Sequence, residues 1–152
     1  SGTLPLTLNA ARRLGVPQSI YGFSLPLGAT INMDGAGIRI AISAAFAANV
    51  IGVPLDFVTM LEIVLIGTLA SIGTAGVPGA GIVMSATVFA QVGLPIETVA
   101  LLVSIDALVG MGATAMNVTG DLVCTSVIAR SEDKYEAAEA GSSQAVPQEQ
   151  LS

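Results

Sequence analysis

The sequence predicts an all-α membrane protein built from interrupted transmembrane helices and re-entrant helical hairpins. Three observations carry that prediction. Hydrophobic residues make up 53% of the 152-residue chain and charged residues 11%, more apolar surface than one soluble core of this size absorbs. A lone carboxylate, Asp34, sits in Asn32-Met33-Asp34-Gly35, with no other charge between residues 14 and 38. Residues 63–96 carry no charge at all, yet a segment rich in glycine, with Pro78, splits their middle. A carboxylate at mid-membrane depth costs roughly 2.5 to 3.5 kcal/mol, so Asp34 requires a cation, a polar partner or a water-filled cavity.

Composition also excludes several classes. With no His and a single Cys124, the chain has no basis for a transition-metal centre, a Ser-His triad or a disulfide framework, and no enzyme chemistry is expected. Five Lys and Arg residues form no basic stripe, which rules against nucleic acid as a partner. The apolar runs are too long and too far along the chain for a signal peptide. Ser1-Gly2-Thr3-Leu4-Pro5 reads as the inside of a loop, so the chain is expected to be the C-terminal piece of a longer protein.

Taken in order, residues 4–13 form a short amphipathic arm ending in Arg12 and Arg13, and Gly15-Val16-Pro17-Gln18 breaks it. Residues 19–51 form a first span, interrupted at residues 32–35, where Asn, Asp and glycine disfavour a continuous helix. Gly52-Val53-Pro54-Leu55-Asp56 opens the next helix, with Pro at its start and an acid in its first turn. Within residues 55–93 the glycine-rich segment at 70–81 cannot be a regular helix. The returning arm has about a dozen residues, or about 18 Å, against a hydrocarbon core of about 30 Å. It cannot cross, so a re-entrant hairpin is expected. Residues 95–130 form the last span, and residues 131–152 are expected to be a disordered tail. Arg12, Arg13, Arg130 and Lys134 then share one side, opposite Asp56 and Glu97, which makes the C-terminus cytoplasmic by the positive-inside rule.

On the last helix Asp106, Gly110, Ala113, Thr114, Asn117, Gly120, Asp121 and Cys124 share a sector of roughly 120° at 100° per residue, opposite Leu108, Met111, Ala115, Val118 and Leu122. Glycines and Thr114 on such a face also serve plain helix packing. Two carboxylates need more, and Arg39 is the only nearby cation. The break at 32–35 offers freed carbonyls and a carboxylate to a cation, while the hairpin's second arm opens near residues 79–81 with amides and a positive dipole end for an anion. Discontinuous helices of both polarities at mid-membrane point to a secondary transporter.

The segments Ser1-Gly2-Thr3-Leu4-Pro5, residues 25–35 (LPLGATINMDG), residues 70–81 and Met116-Asn117-Val118-Thr119-Gly120-Asp121 resemble the dicarboxylate/amino acid:cation symporters, the glutamate-transporter family. The likeness runs over residues 1–130. It implies the C-terminal part of a transport domain: the end of a first hairpin (1–14), a broken seventh helix (19–51), a second re-entrant hairpin (55–93) and an eighth helix (95–130). It further implies a homotrimer assembled through N-terminal helices that precede this piece. Residue by residue, the resemblance assigns one sodium site to backbone carbonyls of Gly28, Asn32 and Asn117 with the Asp121 carboxylate. A second uses backbone oxygens of Thr30, Ser71, Ile72 and Thr74, and a third uses Asp34 with the Asn32 side chain. It makes Asn117 the anchor for a substrate carboxylate, beside Thr114 and the backbone around Val77 and Gly81. Hard oxygen donors of this kind suit an alkali cation.

The departures from the family pattern also matter. Gly110 stands where acidic-amino-acid carriers have an aspartate for the substrate amino group, Ala113 where they have an arginine for the side-chain carboxylate, and Ala36 where they have a threonine. A substrate other than an acidic amino acid is expected. Arg39 either neutralises Asp34 or Asp106, or replaces the absent arginine and meets an anionic substrate. Glu62 is assigned no role. The expected function is sodium-coupled symport of a small organic carboxylate or neutral amino acid by alternating access, in a multi-pass protein of the plasma (cell inner) membrane surrounded by lipid. The alternatives are proton-coupled C4-dicarboxylate symport, with H+ in place of Na+, and a passive channel. A nucleotide-binding enzyme using residues 71–81 lacks the strand and the phosphate-binding Lys it would need.

Overall fold

The computed structural model describes residues 2–74 and 76–144, and side chains as far as residue 133. All of its regular structure is helical: α1 (Leu4–Arg13), α2 (Gln18–Ile31), α3 (Asp34–Ile51), α4 (Phe57–Ile72), α5 (Ala80–Gln91), a 3-10 turn (Ile96–Thr98), α6 (Val99–Val103) and α7 (Asp106–Gln144). Two helical stretches, Gln18–Ile51 with its interruption and Asp106–Asp133, are long and apolar enough to cross a membrane, whereas Phe57–Ile72 and Ala80–Gln91 are shorter. Large apolar side chains stand out from the bundle, Phe57 at 76%, Leu108 at 72% and Leu69 at 71% exposure. Apolar surface of that extent fits lipid or further protein rather than water.

Each boundary has a local cause. α2 ends as the Asn32 amide donates to the Gly28 carbonyl (2.8 Å), and Met33 holds φ −123° and ψ 60°, outside the helical region. The interruption is therefore narrower than residues 32–35: Asp34 and Gly35 already belong to the first turn of α3. α3 and α5 end alike. Past α3 the Val53 amide donates back to the Ala48 carbonyl (3.0 Å), and past α5 the Leu94 amide donates to the Phe89 carbonyl (2.9 Å). Such a six-to-one closure requires a left-handed residue between, which Gly52 (φ +70°) and Gly93 (φ +75°) supply.

Asp56 turns out to be the N-cap of α4 rather than a residue of its first turn, and its carboxylate accepts the Thr59 amide (2.7 Å). That hydrogen bond holds the Asp56 carboxyl below its ordinary range. A depressed folded-state value means that the cap contributes above the ordinary carboxylate range and is lost as pH falls through the lowered one. Hydrogen exchange at the Thr59 amide is expected to be slow at neutral pH, to quicken relative to mid-helix amides on acidification, and to be fast at every pH in Asp56→Ala.

Two expectations for the last span need correction. Residues 95–130 are not one helix: the chain tightens at Ser104 and Ile105. There the Ile105 amide reaches only back to Leu102 (3.2 Å), and the Ser104 hydroxyl donates to the Leu101 carbonyl (3.0 Å). These three-residue bonds compete with the helical ladder and break it. Nor does the helix stop near Arg130. It continues to Gln144, because Glu, Lys and Ala at residues 132–140 are strong helix formers whatever their polarity. Residues 145–152 of the expected tail lie outside the described residues.

The core lies along one face of α3. Ala44, Ala47 and Ala48 meet Ile63 of α4, Phe89 of α5, Leu94, Val99 and Leu102, and the small residues let these helices approach closely. Gly67 of α4 continues this fit, for a Cβ there would stand 3.3 Å from Ile40. α2 and α3 both pack on α7, and α1 packs on α2. The interruption of the first span is thereby pressed against the middle of α7.

Candidate functional site

The junction of α2 and α3 meets α7 through unusually close backbone contacts. A Cβ on Gly28 would stand 2.8 Å from Asp121 Cγ, and one on Gly35 would stand 2.8 Å from the Ala113 Cα. Across that seam the Asn32 side chain donates from Nδ2 to Asp121 Oδ1 (2.9 Å), and Asp121 is buried. Gly120 lies beneath the same group: a Cβ there would come to 3.2 Å from Asp34 Oδ2 and 3.4 Å from Asn32 Nδ2. Asn32, Asp34 and Asp121 thus converge from three helices over two glycines that leave them room. Asp121 is the buried member of this group, while Asn32 is half-buried and Asp34 exposed.

Asn117 closes the other side of the seam. Its Oδ1 accepts the Gly35 amide at the opening of α3 (2.8 Å), so a side chain of α7 caps a helix it does not belong to. With the carbonyl end used, the Asn117 amide NH2 is the end left to donate. Asn117 and Thr114 line a cleft of about 540 Å³, together with Asn32, Thr74, Val77, Gly81, Arg39 and Asp121. That size lies within the range of small-molecule sites. The segment between α4 and α5 forms its roof. Gly79 turns left-handed there (φ +81°) so that α5 can start, and Gly79, Ala80 and Gly81 present the N-terminal end of α5 to the cleft. The Ala80 amide is already taken by the Val77 carbonyl (3.3 Å), so this end is less open than a bare helix start.

The remaining positions are more dispersed. Thr30 is exposed, with its hydroxyl on the Leu27 carbonyl (2.6 Å). Ser71 and Thr74 are buried and back-bonded to Thr68 and Ala70, while Ile72 is half exposed. The Ser71 carbonyl takes the Thr74 amide (3.2 Å), and Ser71 packs on Gly37 of α3. No hydrogen bond joins Thr30 to these residues among those described. Asp34, Asn32, Gly28, Asn117 and Asp121 form one tight group, and Thr30 with Ser71, Ile72 and Thr74 a looser one.

Arg39 pairs with Asp106, not Asp34. The guanidinium lies against α5, since a Cβ on Gly81 would stand 2.6 Å from Arg39 Cζ, and one on Gly110 would lie 4.0 Å from its Nη1. Two placements expected from the helical wheel differ in the structure, one from each face. Cys124 is exposed, and Val118, placed on the opposite face, lines the cleft. The working face instead continues to Thr125, whose hydroxyl bonds Ser24 of α2 (2.9 Å). That pair escaped the sequence reading, although Thr125 follows Asp121 by four residues and so shares its side of the helix.

The model of the sodium:dicarboxylate symporter family matches residues 1–131. The chain belongs to that family. An excitatory amino acid transporter of Caenorhabditis elegans is 43% identical over 129 residues, 84% of this chain and 26% of that protein. Mouse excitatory amino acid transporter 2 is 43% identical over 122 residues, 80% of the chain and 21% of that protein. Mouse neutral amino acid transporter B(0) is 40% identical over 122 residues, 80% of the chain and 22% of that protein. The chain spans about a quarter of the length of these relatives. The family is one of sodium:dicarboxylate symporters. Membership accounts for the apolar surfaces that the bundle leaves uncovered.

Proposed function

We propose that the chain is the cation- and substrate-handling part of a sodium-coupled symporter that accumulates a small organic carboxylate or neutral amino acid by alternating access. The observation that carries this reading is the convergence of Asn32, Asp34 and Asp121 over Gly28 and Gly120. Two acids held close together, Asp121 buried and Asp34 exposed, repel each other until a cation joins them, and oxygen donors without nitrogen or sulfur ligands suit Na+. In this reading Gly28, Asn32, Asn117 and Asp121 hold one ion, Asp34 with Asn32 a second, and Thr30 with Ser71, Ile72 and Thr74 a third. The third set lies looser than the others, as a site completed only when the segment between α4 and α5 closes would. Asn117 and Thr114 then anchor a substrate carboxylate beneath Val77 and Gly81. Occupancy and closure are linked because the cations cancel charge that otherwise opposes an anion entering the cleft. The α4–α5 pair acts as the re-entrant hairpin, and the complete carrier is a homotrimer in the plasma membrane with its C-terminus in the cytoplasm.

Proton coupling is the second reading, favoured by one observation: Asp121 is buried with a single hydrogen-bond donor, Asn32. A carboxylate so placed can be neutralised by H+ as well as by Na+. Uptake into liposomes of the complete carrier, run with a panel of carboxylates and neutral amino acids, separates the two. With sodium replaced by choline at a fixed pH gradient, accumulation is expected to cease. Undiminished accumulation would establish the proton, and flux without accumulation in either salt would establish a channel.

A further inference from the structure

Within the residues described, Arg39 is the one cation that lines the cleft, and it comes from α3 rather than α7. Its surroundings hold it firmly. Asp106 takes one end of the fork, and the arginine side chain is 10% exposed. Behind the pair lies a small recess lined mostly by apolar side chains, Ile42, Phe46, Leu102 and Val109, with the Ser43 hydroxyl as its one neutral polar group, so Asp106 is the only charged partner there. In front of it, two positions without side chains leave space. Gly81 lets α5 lie against the guanidinium, and Gly110 leaves a bay beside Nη1. An arginine has five N–H donors in a planar fork, and one carboxylate does not use them all.

We propose that Arg39 is the specificity-determining cation of this carrier: held by Asp106, it offers its remaining donors across Gly110 to an anionic group of the substrate. This assignment rests on the transport reading above and names what the cleft selects. The same geometry argues against an ammonium group. Of the two acids lining the cleft, Asp106 is paired with Arg39 and Asp121 is bonded to Asn32. Position 110, where a third could stand, is glycine. The substrate that fits is therefore a short molecule with a carboxylate at each end and no amine, one end at Asn117 and the other at Arg39. Asp106 is a positioning residue, since it acts through the guanidinium.

The test uses the complete carrier in detergent with two probes, succinate and its monoamide succinamate, each titrated in sodium chloride and in choline chloride. Wild type is expected to prefer succinate by about 10- to 100-fold, the worth of a charge-assisted hydrogen bond. The double variant Arg39→Gln/Asp106→Asn, which leaves neither charge unpaired, is expected to bring that preference to within about threefold of unity while succinamate affinity holds. Gly110→Asp, which puts a carboxylate into the bay beside Arg39 Nη1, is expected to reduce succinate binding about as much by competing for the free donors, with both members of the pair left in the chain. No preference in wild type, or a preference that survives in the double variant, overturns the assignment. The ratio between ligands reports Arg39 and the ratio between salts reports sodium coupling, so the failure of one does not mimic the failure of the other.

Discussion

Asp121→Asn is expected to abolish sodium-dependent uptake at ordinary sodium concentrations, through a loss of Na+ affinity of about 150- to 4000-fold. The substitution is close to isosteric, and the new amide oxygen can still accept the Asn32 hydrogen bond that the carboxylate accepts now at 2.9 Å. What it removes is one full negative charge from a buried position, 5% exposed. Leaving a buried charge without its partner costs about 3 to 5 kcal/mol, here borne by the incoming cation. Sodium titration of uptake, or the heat of Na+ addition to the purified carrier, measures the loss. Thr87→Ala on α5 is the control. Thr87 is exposed, its hydroxyl spends itself on the Val83 carbonyl of its own helix (3.0 Å), and its loss should leave sodium dependence within about twofold of wild type. Equal effects of the two substitutions would remove Asp121 from the ion site.

Gly35→Ala is expected to be the most damaging single methyl in the chain. A Cβ at residue 35 meets the backbone of Ala113, with the Ala113 Cα and carbonyl carbon each 2.8 Å away, and backbone cannot rotate aside as a side chain can. α3 and α7 must part. Overpacking of this kind costs about 1 to 3 kcal/mol, and the shift also opens the hydrogen bond from the Gly35 amide to Asn117 Oδ1. The expected outcome is a thermal transition lowered by several degrees, together with loss of both sodium and substrate binding. Gly112→Ala, where nothing lies within 4 Å, should change none of these. A Gly35→Ala carrier with wild-type transport would mean that the α3–α7 contact is looser than described.

The elements were largely legible because their signals are local. Pro17, Gly52 and Gly93 mark ends that the backbone closes by short-range bonds, and the arm at residues 4–13 begins and stops where its proline and arginines indicate. The polar sector of α7 was legible as a 100° periodicity, and most of it faces the cleft. What could not be read was set by contacts distant in sequence. The break at Ser104 and Ile105 occurs in a run with no glycine or proline, where only the serine hydroxyl hints at a competing bond. Choosing Asp106 over Asp34 as the partner of Arg39 required knowing how α3 rotates against α7. Continuation of α7 past Arg130 shows the opposite failure: polarity argued against a buried core, but helix propensity needs no core. The relatives' names divide between excitatory and neutral amino acid transporters, so similarity alone leaves the substrate open.

The run of Ala44, Ala47 and Ala48 along α3 has a mechanical consequence. Alanine gives up no rotamer entropy when it is packed, and it has no long side chain to interlock with a neighbour. Cohesion there rests on short-range dispersion between the alanine face of α3 and side chains such as Ile63 and Phe89, which falls off steeply once the helices separate. α3, α4 and α5 should therefore travel as one stiff wedge, with compliance left to the glycines at the turn between α4 and α5.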